Sequence, residues 1–511
     1  MRRQTLHPTR LLIATLLAVT CNVTAFGGVG ALPTEPVAIG TTPQFFVDDY
    51  IVDNRFAIKY KNYALVRKFH QPVKHAANPL IDADGGYVNV AYDEAAKLFR
   101  MWYQVHYWDD PVARGRTNYA IAYAESKDGI KWVRPKLGLF KWKGTTENNI
   151  CLKGPKQARA SGPQILLSIP EREKRGYRFI MTYRTGGSGK DSDGIRLVGS
   201  NDGIHWDAKS ETRIKHIHSD TLNSIVYDPA RKQFVMFCRA KHIYRTFKGN
   251  IIDTGASRRI ARIANPTLWD DWPADPQNIL IPDSQDSAGR FNFFYGMPTH
   301  FHADIYWGFP WAFRMNDPIH TQLATSRDSV HWERLPARPA VIPLGKEGTW
   351  DDGMTFGGPH WIEVGDQWWF YYAGYDGGHQ SKERTSRIGL ATVRKEGLIS
   401  LHGPKNGGGV VITRQITWPG GDLLLNVAAP EGEVKVRLSD AKRKVIPGYD
   451  YEDCNSFTGD STSQRMTWKK ADINDLKGKT IRLEIFIQNA DLYTFRAAEK
   501  TNATSEEETK P

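Results

Sequence analysis

The chain has 511 residues, 12% of them aromatic, with 45 glycines, 28 prolines and a formal net charge of +12. That length exceeds one ordinary core, so a large repeat domain with a smaller companion is expected. Composition excludes a disulfide scaffold, because outside the leader only Cys151, Cys238 and Cys454 remain, an odd set without metal-ligand spacing. Nucleic acid is excluded as a partner by the lack of a basic helix or binding motif.

Residues 1–31 read as a secretory signal peptide. Arg2, Arg3 and Arg10 precede the apolar run Leu11–Val19, and small residues follow up to Ala25 or Ala31. The run is too short to cross a bilayer, so a secreted or periplasmic location is expected. Cys21, after Leu17, Ala18, Val19 and Thr20, leaves a lipid anchor as the alternative. Three arginines leave with the leader, which takes the charge of +12 down to about +9. Such a surface suits an anionic partner, and it is equally the surface of a merely basic protein.

Phe45–Val52 (FFVDDYIV) alternates like a strand, and the sequence predicts that it pairs with the last blade of a ring. Asp48 and Asp49 read there as loop-anchoring acids. From Gly86 to Trp132 the chain carries YVNVAYDEAAKLFRMWYQ, a loop, and NYAIAYAESKDGIKW. Two alternating runs joined by a polar turn form a hairpin signal, and two further strands complete a four-stranded blade. The pattern recurs at Gln164–Trp206, Leu222–Trp272, Tyr295–Trp332 and Phe356–Leu398. Hairpin turns near Asp93, Glu171, Asp228, Ala303 and Gly365 are roughly 57–78 residues apart, a propeller-blade period with long loops. Three copies keep a Ser-x-Asp-[Gly/Ser]-[Ile/Val]-x-Trp signature, at Ser126–Trp132, Ser200–Trp206 and Ser326–Trp332. Its acid and small residue make a turn, and its tryptophan plugs the space between sheets.

The predicted fold is therefore all-β: a five-bladed β-propeller over residues 32–402, followed by a C-terminal β-sandwich over 403–497. The sandwich is read from strands around Val410–Ile416, Asp422–Val427, Glu433–Leu438 and Thr480–Gln488. Residues 498–511, polar and acidic, read as a disordered tail.

Polar residues just before an innermost strand face the axis of a propeller. Those positions give Asp82 and Asp84, Ser161 and Gln164, Asp220 and Asn223, Asp283, Asp286 and Tyr295, then Asp351, Asp352 and His360. Four blades thus bring a carboxylate to one place, and Asp84, Asp220, Asp286 and Asp352 are the predicted catalytic acids. Carboxylates held close raise one another's pKa, as a general acid beside an ionised base requires. Among the aromatics suited to stacking on sugar rings (Tyr87, Trp102, Tyr103, Tyr107, Trp307, Trp311, Trp369), loop-borne ones are favoured over sheet fillers. His300, His302, His360 and His379 are predicted to bind sugar hydroxyls. No cofactor is expected, since none of these histidines shows helix-borne His-x-x-x-His metal spacing. Arg184, Arg239, Lys241 and Arg245 follow inner hairpins, where they suit a carboxylate or sulfate.

The blade pattern, the turn signature and the axial acids resemble the five-bladed propeller glycosidases, such as the arabinanases, xylosidases and invertases of families 43 and 32. Within that superfamily the chain looks most like a group of secreted bacterial proteins labelled family-32-like. FFVDDYIVD, FRMWYQ, SDTLNSIVYDP, PDSQD with FYGMP, DDGM, VIPGYDYEDC and RLEIFIQNADLYTF carry the resemblance. It implies an Asp of blade one as base or nucleophile, a second Asp that tunes pKa, and a Glu as acid. Asp84 matches the first role, and Asp220 and Asp352 match more loosely. The invertase Asn-Asp-Pro-Asn-Gly motif is absent and no axial Glu stands out, so the acid falls to Asp220 or Asp286.

The expected function is a secreted glycoside hydrolase acting on a neutral or anionic carbohydrate. Tyr87, Asn223, Arg239, Tyr295, His300, His302, Trp307, His360 and His379 are its predicted substrate-binding residues. The alternatives are a non-catalytic carbohydrate-binding propeller and a lyase of uronic-acid polysaccharides.

Overall fold

The computed structural model describes residues 34–53, 65–82, 84–110, 116–186, 194–215, 217, 219–240, 244–247, 250–253, 258–274, 276–288, 291–314, 317–381 and 384–498. The predicted leader and nearly all of the predicted tail lie outside them, as does Lys241.

Nearly all of the described chain is β, arranged like a propeller of four blade-like sheets beside larger curled sheets. Gly86–Asp93, Leu98–Asp110, Arg116–Ser126 and Ile150–Leu152 form the first antiparallel sheet. Arg159–Ile165, Phe179–Gly186, Gly194–Ser200 and Trp206–Ile214 form the second. The third joins Ser224–Asp228, Gln233–Ala240, Arg259–Asn265 and Gln277–Leu280. In the fourth, Thr299–His302, Ile305–Gly308 and Ala324–Ser326 pair. Two of its strands run on past breaks as Trp311–Arg314 and Ile319–Gln322. Those continuations merge with Met354–Gly357, Gln367–Tyr375 and Ser386–Arg394 into a nine-stranded sheet.

The repeated signature is scaffold, as its composition predicts. Asp128 Oδ1 accepts from the amides of Ile130 (2.9 Å) and Lys131 (2.7 Å), and Ser126 Oγ accepts from Gly129 N. Asp202 and Asp328 repeat the geometry. Gly129 sits at φ +72°, and a Cβ there would lie 2.7 Å from Tyr371 Oη, so the turn and the neighbouring sheet both demand glycine. Trp132 packs edge-on against Tyr371 of the last sheet, and Trp332 against Phe237 of the third.

A belt of side chains stitches each inner strand to the next. Asn89 Oδ1 accepts from Ile165 N, and Gln164 both donates to and accepts from the backbone of Ile225. Ser224 Oγ accepts from Thr299 N, Thr321 Oγ1 from Gly357 N, and His360 Nε2 donates to Val90 O at 2.6 Å. These polar groups are buried, and each satisfied bond contributes about 1 kcal/mol while an unmade one would cost more.

The chain closes differently from the prediction. Val73–Lys74, not Phe45–Val52, supplies the outer strand of the last sheet, paired with Thr392 and Ala391. Lys74 Nζ reaches Asp351 Oδ2 at 2.5 Å, where Tyr372 Oη also donates. Gln44–Phe45 instead pairs with Phe495 and Thr494, and Val66–Phe69 with His402–Ile399. Both join a ten-stranded curled sheet built around Asp422–Asp440, whose first half pairs with Ala490–Ala498 and second half with Thr480–Gln488. Of Phe45–Val52 only Phe45 lies in a strand, and the rest is a bent loop with an isolated bridge from Val52 to Thr413. The C-terminal core takes up its apolar side chains: Phe46 and Ile51 are buried with Trp418, Leu425 and Phe495. Asp48 and Asp49 are loop anchors as expected, bound to Arg327 and Arg67. Cys151, Cys238 and Cys454 are buried free thiols.

Candidate functional site

The starts of the inner strands meet at an aromatic floor. Tyr87, held at φ +42°, opens the first inner strand and donates or accepts at Thr221 Oγ1, 3.0 Å away before the third. Its ring lies 5.4 Å from Trp311 and 5.7 Å from Phe356, so the fourth and last sheets complete the surface. Tyr295 continues it against Trp311, Phe356 and Phe313. The Tyr295 hydroxyl and His379 Nε2 share a hydrogen bond of 3.1 Å. Burial, then the charges of Arg258 and Arg384, press the His379 pKa down to about 4, which leaves the imidazole neutral.

Charged groups rise on either side of the floor. Asp220, half-exposed, receives a charge-assisted bond from the buried Arg239 and lies 3.9 Å from Arg184 Nη1. Arg239 is placed by the second strand of its sheet, whose amide donates to Ser219 Oγ. Its guanidinium lies 5.3 Å from the ring centre of Tyr295, and Arg258 lies 4.8 Å from the same ring. On the first sheet, Asp84 sits at φ +49° and pairs with Lys143 at 2.8 Å. Between the carboxylates stand His106 and Tyr119, rings 5.3 Å apart and edge-on. Burial holds the His106 pKa at about 4 although the charge of Asp84 pulls it upward, and the Tyr119 hydroxyl, raised first by burial, feels Asp220.

Of the predicted residues, the structure gathers Asp84, Asp220, Tyr87, Arg239, Tyr295 and His379. Asn223 lies beside them, its amide donating to Thr221 O while its buried Oδ1 has no partner. The expected convergence of four carboxylates does not occur. Asp286 sits on the short helix Ser284–Ala288, 2% exposed, gripped by Arg334 at 2.6 and 2.9 Å. Burial raises its pKa, but its face is a structural ion cluster shared with Asp283 and Arg338. Asp352 turns back on its own loop and accepts from Gly348 N.

His300, His302, Trp307 and His360 also leave the site. They lie further along the inner strands, where His300 packs edge-on against Trp361 at 4.4 Å and His302 against Trp361 and Trp368. Phe45 seals this end against Trp307. His360 belongs to the interblade belt. A histidine in alternation on an inner strand reads identically from sequence whether it faces solvent or a tryptophan.

Sequence reasoning missed Arg258, His106, Tyr119, Lys143 and Arg384. Arg258 precedes the third strand of its sheet, and only the doubled arginine of Arg258 and Arg259 flagged it. Among the described residues no three His, Cys, Asp or Glu side chains gather as metal ligands. No helix among them is long and apolar enough to cross a membrane.

No family model matches the chain, and no curated protein does. Among solved structures it is similar to an N-acetylgalactosamine deacetylase from F. plautii in complex with blood group B trisaccharide, at 16% identity and TM-score 0.42. That match covers 66% of this chain and 97% of the other. It is similar also to a member of the GH130 family of mannoside phosphorylases, which contains glycoside hydrolases that target β-1,2 mannosidic linkages in Candida mannan. The figures there are 14% identity, TM-score 0.44, and 64% and 94% coverage. A third likeness is to the catalytic domain of the Coprinopsis cinerea GH62 α-L-arabinofuranosidase, at 9% identity and TM-score 0.39, covering 65% and 97%.

Proposed function

We propose that the protein is a carbohydrate-active enzyme, a glycoside hydrolase that works at the mouth formed by Tyr87, Asp84, Asp220 and Tyr295. The observation that carries this reading is that Tyr87, three residues after Asp84, is hydrogen-bonded to Thr221, the neighbour of Asp220, so two paired carboxylates from different sheets start beside one aromatic cluster. Clustered aromatic rings beside fixed charges suit a sugar, whose ring faces are apolar and whose edge is polar.

In this reading a sugar stacks on Tyr87. Asp84 is base or nucleophile, and Lys143 holds its carboxylate in place. Asp220, paired with Arg239, stabilises the positive charge that develops on the ring in the transition state. With Asp286 sequestered, the leaving-group proton comes from the Tyr295 hydroxyl. For this step His379 Nε2–H donates to the Tyr295 oxygen, which leaves the hydroxyl proton free for the leaving group and steadies the phenolate that remains. No cofactor is invoked.

The lyase alternative has one observation in its favour: Tyr295 and neutral His379 form a proton-moving pair flanked by arginines that would neutralise a uronate carboxylate. Elimination would reveal itself by an unsaturated product absorbing in the ultraviolet.

The architecture belongs to the same proposal. The belt from Asn89 to His360 supports five blades, the fifth being Met354–Gly357 through Ser386–Arg394 with Val73–Lys74 outermost. The bend of the long strand within Asp422–Asp440 supports a sandwich, to which the strands between Val37 and Phe69 are added. Export of the chain after removal of residues 1–31 completes the reading.

The test is a screen of the chain from residue 32 against plant and algal polysaccharides, with product analysis. Asp84→Asn should abolish turnover on whichever glycan responds. Full activity in that variant would overturn the assignment.

A further inference from the structure

Buried arginines in this protein are mostly answered by carboxylates. Arg482 and Arg443 share Asp53, Arg334 and Arg338 share Asp286 and Asp283, and Arg100 holds Asp93. Buried Nε and Nη1 of Arg338 and Nε of Arg482 also make no hydrogen bond, but each of these arginines has its carboxylate. At Tyr295 one of two guanidinium groups has none among the described residues. Arg239, 2% exposed, spends one nitrogen on Asp220, while its Nε and Nη1 are buried without a hydrogen-bond partner. Arg258, on the same ring and against Phe313 at 5.2 Å, has no ion pair among the described residues, and its buried Nη1 is also unmet. Two guanidinium groups with three orphaned donors flank one tyrosine.

Such a cluster is expensive. A buried charged donor without a partner costs several kcal/mol, and like charges side by side add to that. Arg258 registers the strain: burial first, and Arg239 second, lower its pKa. A fold that merely needed packing here would be served by leucine or methionine. Two planar forks converging beside a sugar-binding floor fit an oxyanion that is absent in the empty protein.

We infer that Arg239 and Arg258, clamping the ring of Tyr295, form a subsite for an anionic substituent of the sugar, a carboxylate or a sulfate ester. This rests on the proposal that the mouth takes a carbohydrate, and it narrows the substrate to acidic glycans. The group would be held by the unmet guanidinium donors of Arg239 and Arg258 beside Tyr295, within reach of His379. Arg184, already directed to Ser219 O and Asp220, stays with Asp220.

Calorimetric titration of the chain tests this with paired probes: a galacturonate trisaccharide against its neutral galactose counterpart, and a sulfated galactan oligosaccharide against its desulfated form. Inorganic sulfate is titrated alongside. The charged member of at least one pair should bind about tenfold or more tighter than the neutral one, a difference of about 1.4 kcal/mol. Arg258→Ala should erase the difference, and Arg258→Lys should restore part of it. Arg258 is the variant of choice because removing Arg239 would also unpair Asp220, and a matching thermal unfolding curve verifies that Arg258→Ala is folded. The uronate pair alone responding assigns a carboxylate, and the sulfated pair alone assigns a sulfate ester.

Equal affinity within both pairs, or discrimination that survives Arg258→Ala, overturns the subsite. If neutral glycans are cleaved and Arg258→Ala cleaves them equally well, the subsite falls while the hydrolase stands. If sulfate binds through Arg258 but no glycan is bound or turned over, the anion site stands and the carbohydrate reading falls.

Discussion

Two regions hold histidines among aromatic rings, and they differ in the charge of the polar groups that stand beside those rings. At the far end, His300 and His302 lie within a stack of Trp307, Trp361 and Trp368, and His360 spends its Nε2 on Val90 O. Every large ring there touches another, and the N-terminal Phe45 covers them. At the mouth, Tyr295 and His379 bond each other while arginine donors beside them go unanswered. The far end resembles a core that uses imidazole as a flat, compact filler. Residue type does not separate the two regions, and neither does satisfaction alone, since His302 Nε2 at the far end is also buried without a partner. What differs is that the unmet groups at the mouth belong to guanidinium cations.

That contrast can be broken most sharply at Asp220. Asp220→Asn should lower turnover by about 10³-fold, because a charge facing the reacting sugar is lost. It should also cost about 3 kcal/mol of stability by leaving Arg239 buried without its counter-charge. Steady-state kinetics on a responding glycan, with urea unfolding of the same sample, reads both numbers. Unchanged turnover would move the chemistry away from the mouth.

At the far end the expectation reverses. His360→Ala removes a buried ring and leaves the Val90 carbonyl unbonded, so stability should fall by about 2–4 kcal/mol. The effect should appear in the urea midpoint and equally with or without glycan present. A glycan affinity that collapses while the midpoint holds would return His360 to the binding surface.

Acid distinguishes the regions least, since both carry neutral imidazoles. His106 and His379 at the mouth, and His360 beyond it, are all pushed to about 4 by burial, while the unfolded chain takes up protons near 6.5. Between those values the unfolded state binds more protons than the folded one. Stability from these groups is therefore full above about pH 6.5 and falls as pH drops towards about 4. Urea midpoints measured from pH 7.5 to 4.5 should decline, and His360→Gln should make the decline shallower. A midpoint constant across that range would contradict buried neutral histidines.

Alternation and turn chemistry made the hairpins legible, down to Asp128 and Gly129 as turn residues. These signals are local, read within about ten residues. The closing strand was not legible, because Val73 and Lys74 are two residues whose only credential is a partner at Ala391. Phe45–Val52 was recognisable as apolar, but an apolar strand does not state which core it will enter. Of the predicted acids, Asp84 is paired with Lys143 and Asp220 with Arg239. Asp286 failed because a loop of roughly ten residues before an inner strand has room to fold back, and Arg334 drew its carboxylate into a cluster. Arg258 was missed since its importance lies in what it lacks, and a sequence does not display an absent partner.

The closure of the ring by Val73–Lys74 has a temporal side. Lys74 finds its backbone partner only at Ala391 and its counter-charge at Asp351, and Gln44–Phe45 waits for Thr494 and Phe495. On the ribosome, at roughly 5–20 residues per second, some 300 intervening residues mean about 15 s or more during which the first strands exist without any template. The pairs joining the two ends of the chain are thus among the last that can form, and loops of that span fold slowly even when the product is stable. Clipping either end should consequently harm the other, although hundreds of residues separate them. The order of synthesis and the order of assembly run in opposite directions here, with the opening residues the last to find their place.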